Sequence, residues 1–271
     1  MKRFLPLVAA LFTLAAAANT LHAQAAKPIK ILLLTGGCCH DYAKQKDILK
    51  KGIESRMNAV VDHVHSDDTS TKPRLASYGN PDYAKGYDVV VHDECSADIT
   101  DPAIIAGVLK PHVDGIPGVN LHCAMHSYRF GDYRKPVTAG ADNAKWFEYI
   151  GIQSTGHGPQ EPITVSYTDK THPITKNLAD WTTSKEELYN NVQIFPTAKA
   201  LATGTQKDKP LVLAWTNMFG NTRVFSTTLA HNTSSVEDPR YLDLVANGIL
   251  WATDKLGDDG KPKAGFAAEK K

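Results

Sequence analysis

The chain has 271 residues, 42% of them hydrophobic, and carries 30 lysines and arginines against 29 aspartates and glutamates, a formal net charge of +1. That length and apolar content support one large α/β domain or two small ones. The near balance of charge, with no basic block interleaved with aromatics, argues against a nucleic-acid or anionic-surface partner.

Met1-Lys2-Arg3 precedes an apolar run over residues 4–18, and Leu21-His22-Ala23-Gln24-Ala25 offers small residues for cleavage. This is the pattern of a secretory signal peptide. The run is shorter than the ~20 residues a spanning helix needs, so no stable membrane insertion is expected. Residues 1–25 are therefore expected to be removed and residues 26–255 to form the domain, with residues 256–271, which lack apolar periodicity, a disordered tail. The mature protein is expected to be periplasmic or secreted. In such an oxidising compartment Cys38, Cys39, Cys95 and Cys123 can form disulfides, in any of three full pairings. Without a C-x-x-C, neither a zinc knuckle nor a thioredoxin-like site is supported.

The apolar run over 29–34, ending at Thr35-Gly36-Gly37, reads as a buried strand opening into a loop. Ile48, Leu49, Ile53 and Met57 then recur at helical spacing. Strand, glycine turn and helix open a doubly wound α/β sheet. Further strands are expected over 59–65, 87–92 and 118–122. A helix begins at Asp101-Pro102, where Asp caps and Pro suits the first turn, and another covers 144–150. The second half changes period: 162–167, 198–203, 211–216 and 223–229 are β-rich, with a hairpin turn at Met218-Phe219-Gly220-Asn221. A helix over 241–251 closes the chain. The result is a mostly parallel sheet with an antiparallel extension in the C-terminal half.

Seven of the eleven histidines, His40, His92, His122, His126, His157, His172 and His231, follow these strand-like stretches. Parallel strands would bring their carboxyl ends to one rim, where open α/β folds place ligands. His122 and His126 are four apart, so an α-helix starting at His122 would aim both rings the same way, as ligands of one metal. His126 could equally be a solvated helix residue, and His122 a satisfied buried one. Gly36-Gly37 lets backbone approach a ligand near His40-Asp41-Tyr42. Gly156-His157-Gly158 places an imidazole in a loop of little bulk, His92-Asp93-Glu94 offers an acid, base or cap, and Glu186-Glu187 is a carboxylate pair beside Tyr189. His172-Pro173 reads as turn chemistry and is left out of the site.

These residues resemble a known family. Thr35-Gly36-Gly37 followed by His40-Asp41-Tyr42, the stretch Leu121-His122-Cys123-Ala124-Met125-His126-Ser127-Tyr128, Gly156-His157-Gly158, His172-Pro173-Ile174, Glu186-Glu187-Leu188-Tyr189, Ala214-Trp215, Arg223-Val224-Phe225 and Gly248-Ile249-Leu250-Trp251 are similar to the trehalose-utilisation, or ThuA-like, family. The resemblance spans residues 29–253. It implies a flavodoxin-like sheet related to class I glutamine amidotransferases and a role in sugar catabolism beside dehydrogenases that make 3-keto-sugars. The amidotransferase pattern Gly-x-Cys-x-Gly is met here by Asn120-Leu121-His122-Cys123-Ala124, with histidine at the nucleophile position, so glutaminase activity is not expected.

The side chains then suggest a chemistry for oxidised (3-keto) glycosides. A ring ketone acidifies the neighbouring C–H, a base removes that proton, and the anomeric substituent departs. The expected site comprises His122, His157, Glu187 and His231 as catalytic groups and Gly37, His40, Tyr42, Cys123 and Tyr128 as substrate contacts. One divalent ion, zinc or manganese, is expected on His122, His126 and His40, and no nucleotide cofactor. The expected partner is a small carbohydrate, and a homo-oligomer is left open. The alternative is a non-catalytic carbohydrate- or partner-binding module, with Trp146, Trp181 or Trp215 stacking on sugar rings or simply packing the core.

Overall fold

The computed structural model describes residues 26–207 and 209–268, so the expected signal segment lies outside the described residues. The chain runs through β1 (Ile29–Gly37), α1 (Tyr42–Glu54), β2 (Ala59–Ser66), β3 (Val89–Cys95), α2 (Pro102–Val113) and β4 (Gly118–Leu121). A 3₁₀ helix, His122–His126, follows directly, then α3 (Lys145–Ile150), β5 (Ile152–Gln153), β6 (His157–Glu161), β7 (Thr164–Tyr167), β8 (Trp181–Thr182) and β9 (Glu186–Tyr189). The last elements are β10 (Gln193–Ile194), β11 (Lys199–Gln206), β12 (Lys209–Phe219), β13 (Thr222–Thr227), α4 (Thr233–Val236) and α5 (Pro239–Ala252).

Nine strands form one sheet in the order β2-β1-β3-β4-β13-β12-β11-β7-β8. The first five are mutually parallel and the rest antiparallel, so the doubly wound sheet with an antiparallel extension is what the chain builds. β1 and β3 are buried nearly throughout because helices cover both faces. Leu49 and Ile53 of α1 pack with Leu242, Val245 and Ile249 of α5 on one face, and Ile105, Val108 and Leu109 of α2 with Trp146 and Phe147 of α3 on the other. Asp101 caps α2 as its position suggests, its side chain accepting from the Ala103 N–H.

Close approach of α5 to the sheet requires Gly248. A Cβ there would stand 2.2 Å from Phe225 Cδ1. Gly248→Ala is expected to destabilise by about 1–3 kcal/mol through overpacking, read as a Tm lower by roughly 3–10 °C in thermal unfolding.

Three expectations are corrected. The segment after residue 255 is not disordered as far as residue 268: Leu256 is buried, Phe266 packs on the core, and Asn58 N–H donates to the Phe266 carbonyl at 3.0 Å. A single aromatic anchor and backbone hydrogen bonds hold it, a signal that apolar periodicity does not carry. His92 lies inside β3, which runs on to Cys95, and its ring bonds Glu94 and His112 within the core. His157, read as a loop residue, belongs to the two-stranded antiparallel pair β6–β9, which also carries Glu187. Among the described residues no helix is long and apolar enough to cross a membrane.

Candidate active site

The parallel strands end along one rim, and the chain leaves each of three of them through a histidine. His40 follows β1, His122 follows β4, and His231 follows β13. Their ring centroids lie 4.7–5.4 Å apart. β6 and β9 lie beside this rim and bring in His157 and Glu187. Glu187 Oε2 stands 3.4 Å from His231 Nδ1, 3.5 Å from His157 Nε2 and 3.7 Å from His122 Nε2. One carboxylate oxygen thus faces three imidazoles.

Backbone strain and backbone carbonyls set the orientation. His122 adopts φ 38°, in the left-handed region where a non-glycine residue is strained, and this aims its ring away from the strand direction. Its Nδ1–H donates to the Thr228 carbonyl at 2.6 Å, and that of His40 to the His231 carbonyl at 3.1 Å. Both rings therefore present an Nε2 lone pair to the site. Glu186, which is fully buried, accepts from the backbone N–H groups of Ala230 and His231 and so fixes the turn that carries His231. Gln45 adds a bond to the His231 carbonyl at 3.2 Å.

Burial shapes the protonation states. It pushes His40 down to about 3, helped by the nearby His122, and lowers His231 in the same way. For Glu187 burial acts upward, but the adjacent His122, with His231 and His157, outweighs it and holds the carboxyl at about 2. Burial thus favours the neutral form of His40 and His231 beside an ionised Glu187 carboxylate.

The donor set fits a divalent cation. One ring nitrogen from each of His40, His122 and His231 lies within 4.8 Å of the other two. Two rings are oriented by carbonyl acceptors as metal-bound histidines are, and the buried His231 Nδ1 has no hydrogen-bond partner. Imidazoles with a neighbouring carboxylate suit zinc or manganese.

A family model described as trehalose utilisation, ThuA, matches residues 30–252. The chain belongs to the ThuA family. Its fold is similar to that of a ThuA-like protein from Parabacteroides merdae, with TM-score 0.65 and 21% identity over 90% of this chain and 98% of that one. A ThuA-like protein from Bacteroides uniformis gives 0.60 and 17% over 92% and 99%. A protein described as a GMP synthase A subunit, from Thermoplasma acidophilum, gives 0.49 and 11% over 84% and 96%. No curated protein matches. Membership of ThuA supports a role in sugar catabolism.

Within this ThuA chain the other expected site residues are dispersed. His126 is not with the metal-capable group: His122–His126 is a 3₁₀ helix, in which residues four apart point about 120° apart rather than sharing a face. Its ring stacks on Tyr189, 4.1 Å between centroids, and its Nε2 pairs with Ser154 Oγ at 2.9 Å. Cys123 is disulfide-bonded to Cys95 and offers no thiol to a substrate. Tyr128 turns into the core, donating to Glu94 at 2.7 Å. Tyr42 is buried among cysteines with its ring 5.2 Å from His40, and Gly37 allows β1 to pass β3 closely, a Cβ there meeting the Cys95 carbonyl at 2.2 Å. His172 lies against Trp251, outside the site. Trp146, Trp181 and Trp215 are all buried, which removes them as sugar-stacking platforms. Tyr189, whose hydroxyl reaches His122 Nε2 at 3.2 Å, and Gln160, which donates to Glu187 at 3.1 Å, were missed. Tyr189 was legible as the next inward position after Glu187 in an alternating strand, whereas Gln160 had no sequence signal.

Proposed function

We propose that this chain is a periplasmic or secreted enzyme that eliminates the anomeric substituent of oxidised, 3-keto glycosides. The observation that carries the reading is the single Glu187 oxygen facing His122, His157 and His231. A carboxylate held at about 2 is too weak a base to abstract a C–H proton efficiently at neutral pH. Its use is to stabilise a neighbouring imidazole once that ring is protonated. His157 suits the transfer because it is the exposed member of the group. Its Nδ1–H donates to the Gly158 carbonyl at 2.9 Å, leaving Nε2 as the acceptor.

In this reading His157 Nε2 takes the proton from the carbon beside the ketone. Electrons of that C–H bond form the new double bond as the anomeric C–O bond breaks, and the proton on His157, held by Glu187, passes to the departing oxygen. A divalent ion on His40, His122 and His231 would supply electrophilic stabilisation of negative charge on a substrate oxygen. Tyr189, its hydroxyl 3.2 Å from His122 Nε2, positions that ring, and Glu186 keeps His231 in place. The test is incubation with 3-keto-trehalose, trehalose and other 3-keto glycosides, with metal analysis of dialysed protein. Release of the aglycone from the oxidised substrates alone is expected. Intact substrates throughout, with no retained metal, would defeat the proposal and leave a binding role.

A further inference from the structure

Four sulfurs lie in a row at the same rim. β1 and β3 pair in a register that sets Gly37 opposite Cys95, so Cys38, one residue further, comes against the end of β3. Cys38 is bonded to its neighbour Cys39 and Cys95 to Cys123, and Cys38 Sγ lies 3.4 Å from Cys95 Sγ. The two pairs differ in access: Cys39 is exposed and Cys38 half-buried, whereas Cys95 and Cys123 are 3% and 5% exposed. Cys39 also adopts φ 80°, a left-handed conformation that favours glycine. A reductant can therefore reach the outer pair but not the inner one.

We propose that these cysteines form a two-disulfide exchange site for a dithiol reductant. A thiolate of the reductant attacks Cys39 Sγ, forming a mixed disulfide and expelling Cys38 as a thiolate. Cys38 then attacks Cys95 Sγ beside it. The Cys38–Cys95 bond forms, the Cys95–Cys123 bond breaks, and Cys123 leaves as a thiolate and takes a proton. The reductant's second thiol displaces Cys39, which is released as a thiol, and the reductant departs as its own disulfide. Two electrons and two protons have passed to the protein, which keeps one disulfide. The consequence is positional: the tether on the 3₁₀ helix bearing His122 moves from β3–Cys123 to a β1–β3 link, and a free thiol appears one residue from His122. This inference is independent of the reaction assigned to the histidines.

The test uses the oxidised full chain, one equivalent of dithiothreitol, rapid trapping with N-ethylmaleimide, and peptide mass spectrometry. Label on Cys39 and Cys123 with a Cys38–Cys95 linked peptide is expected. Cys38→Ser should leave Cys123 unlabelled after the same treatment. Cys39→Ser, which begins with a free Cys38, should label Cys123 without any reductant. Label confined to Cys38 and Cys39 would overturn the proposal. So would four free thiols before treatment, or a stoichiometric metal ion retained by the cysteines.

Discussion

His157→Ala is expected to lower turnover of a 3-keto glycoside by about 10²–10⁴-fold, the usual contribution of a positioned acid–base group, while the protein keeps its divalent ion. His157 is exposed and bonds only its neighbour's carbonyl, Glu187 and the aromatic stack, so folding stability should change by no more than about 0.5 kcal/mol. His231→Ala should behave differently. It removes one of the three convergent ring nitrogens, so metal content after dialysis should fall together with turnover. His126→Phe, which preserves the stack on Tyr189, should retain the ion. Equal metal loss in the His126 and His231 variants would mean that the ligand set is wrong, and full turnover by the His157 variant would remove the proposed base.

Acid should destabilise the metal-free protein well above the range where carboxylates titrate. The unfolded chain binds a proton on His40 as pH falls through 6.5, whereas the folded protein keeps that ring neutral to about 3. Between those values the unfolded state holds more protons, so stability falls as pH falls. His231 and His126, both lowered chiefly by burial, act in the same direction. Each such histidine contributes a slope of up to about 1.4 kcal/mol per pH unit. Glu187 has the same sign in a lower window: its contribution is present above 4.5 and is lost as pH falls toward about 2. Denaturant midpoints measured from pH 7 to 4.5 should decline steadily, and His40→Asn should flatten that decline by up to one histidine's share. A midpoint independent of pH in this range would show that the histidines are not held neutral by the fold.

Much of the architecture was legible in the chain because the relevant signals are local. Apolar runs of strand length alternate with helical stripes, and Asp101 stands where a helix cap belongs. The helix and strand bounds follow from those patterns to within a few residues. What local patterning missed depends on single contacts. The segment to residue 268 is held by Phe266 and a few hydrogen bonds, and β6, a Gly-Pro stretch that reads as a loop, pairs with β9.

By itself the sequence determined that a parallel sheet would form and that His40, His122 and His231 would leave it at the ends of its strands, because strand direction and element order are encoded residue by residue. The tertiary structure alone decided which histidines meet. A 3₁₀ rather than an α-helical turn swung His126 away from His122, the length of β3 carried His92 into the core, and the β6–β9 pair delivered Glu187 Oε2 to three imidazoles. Those outcomes depend on packing between segments far apart in the chain, for which spacing along the sequence holds no information.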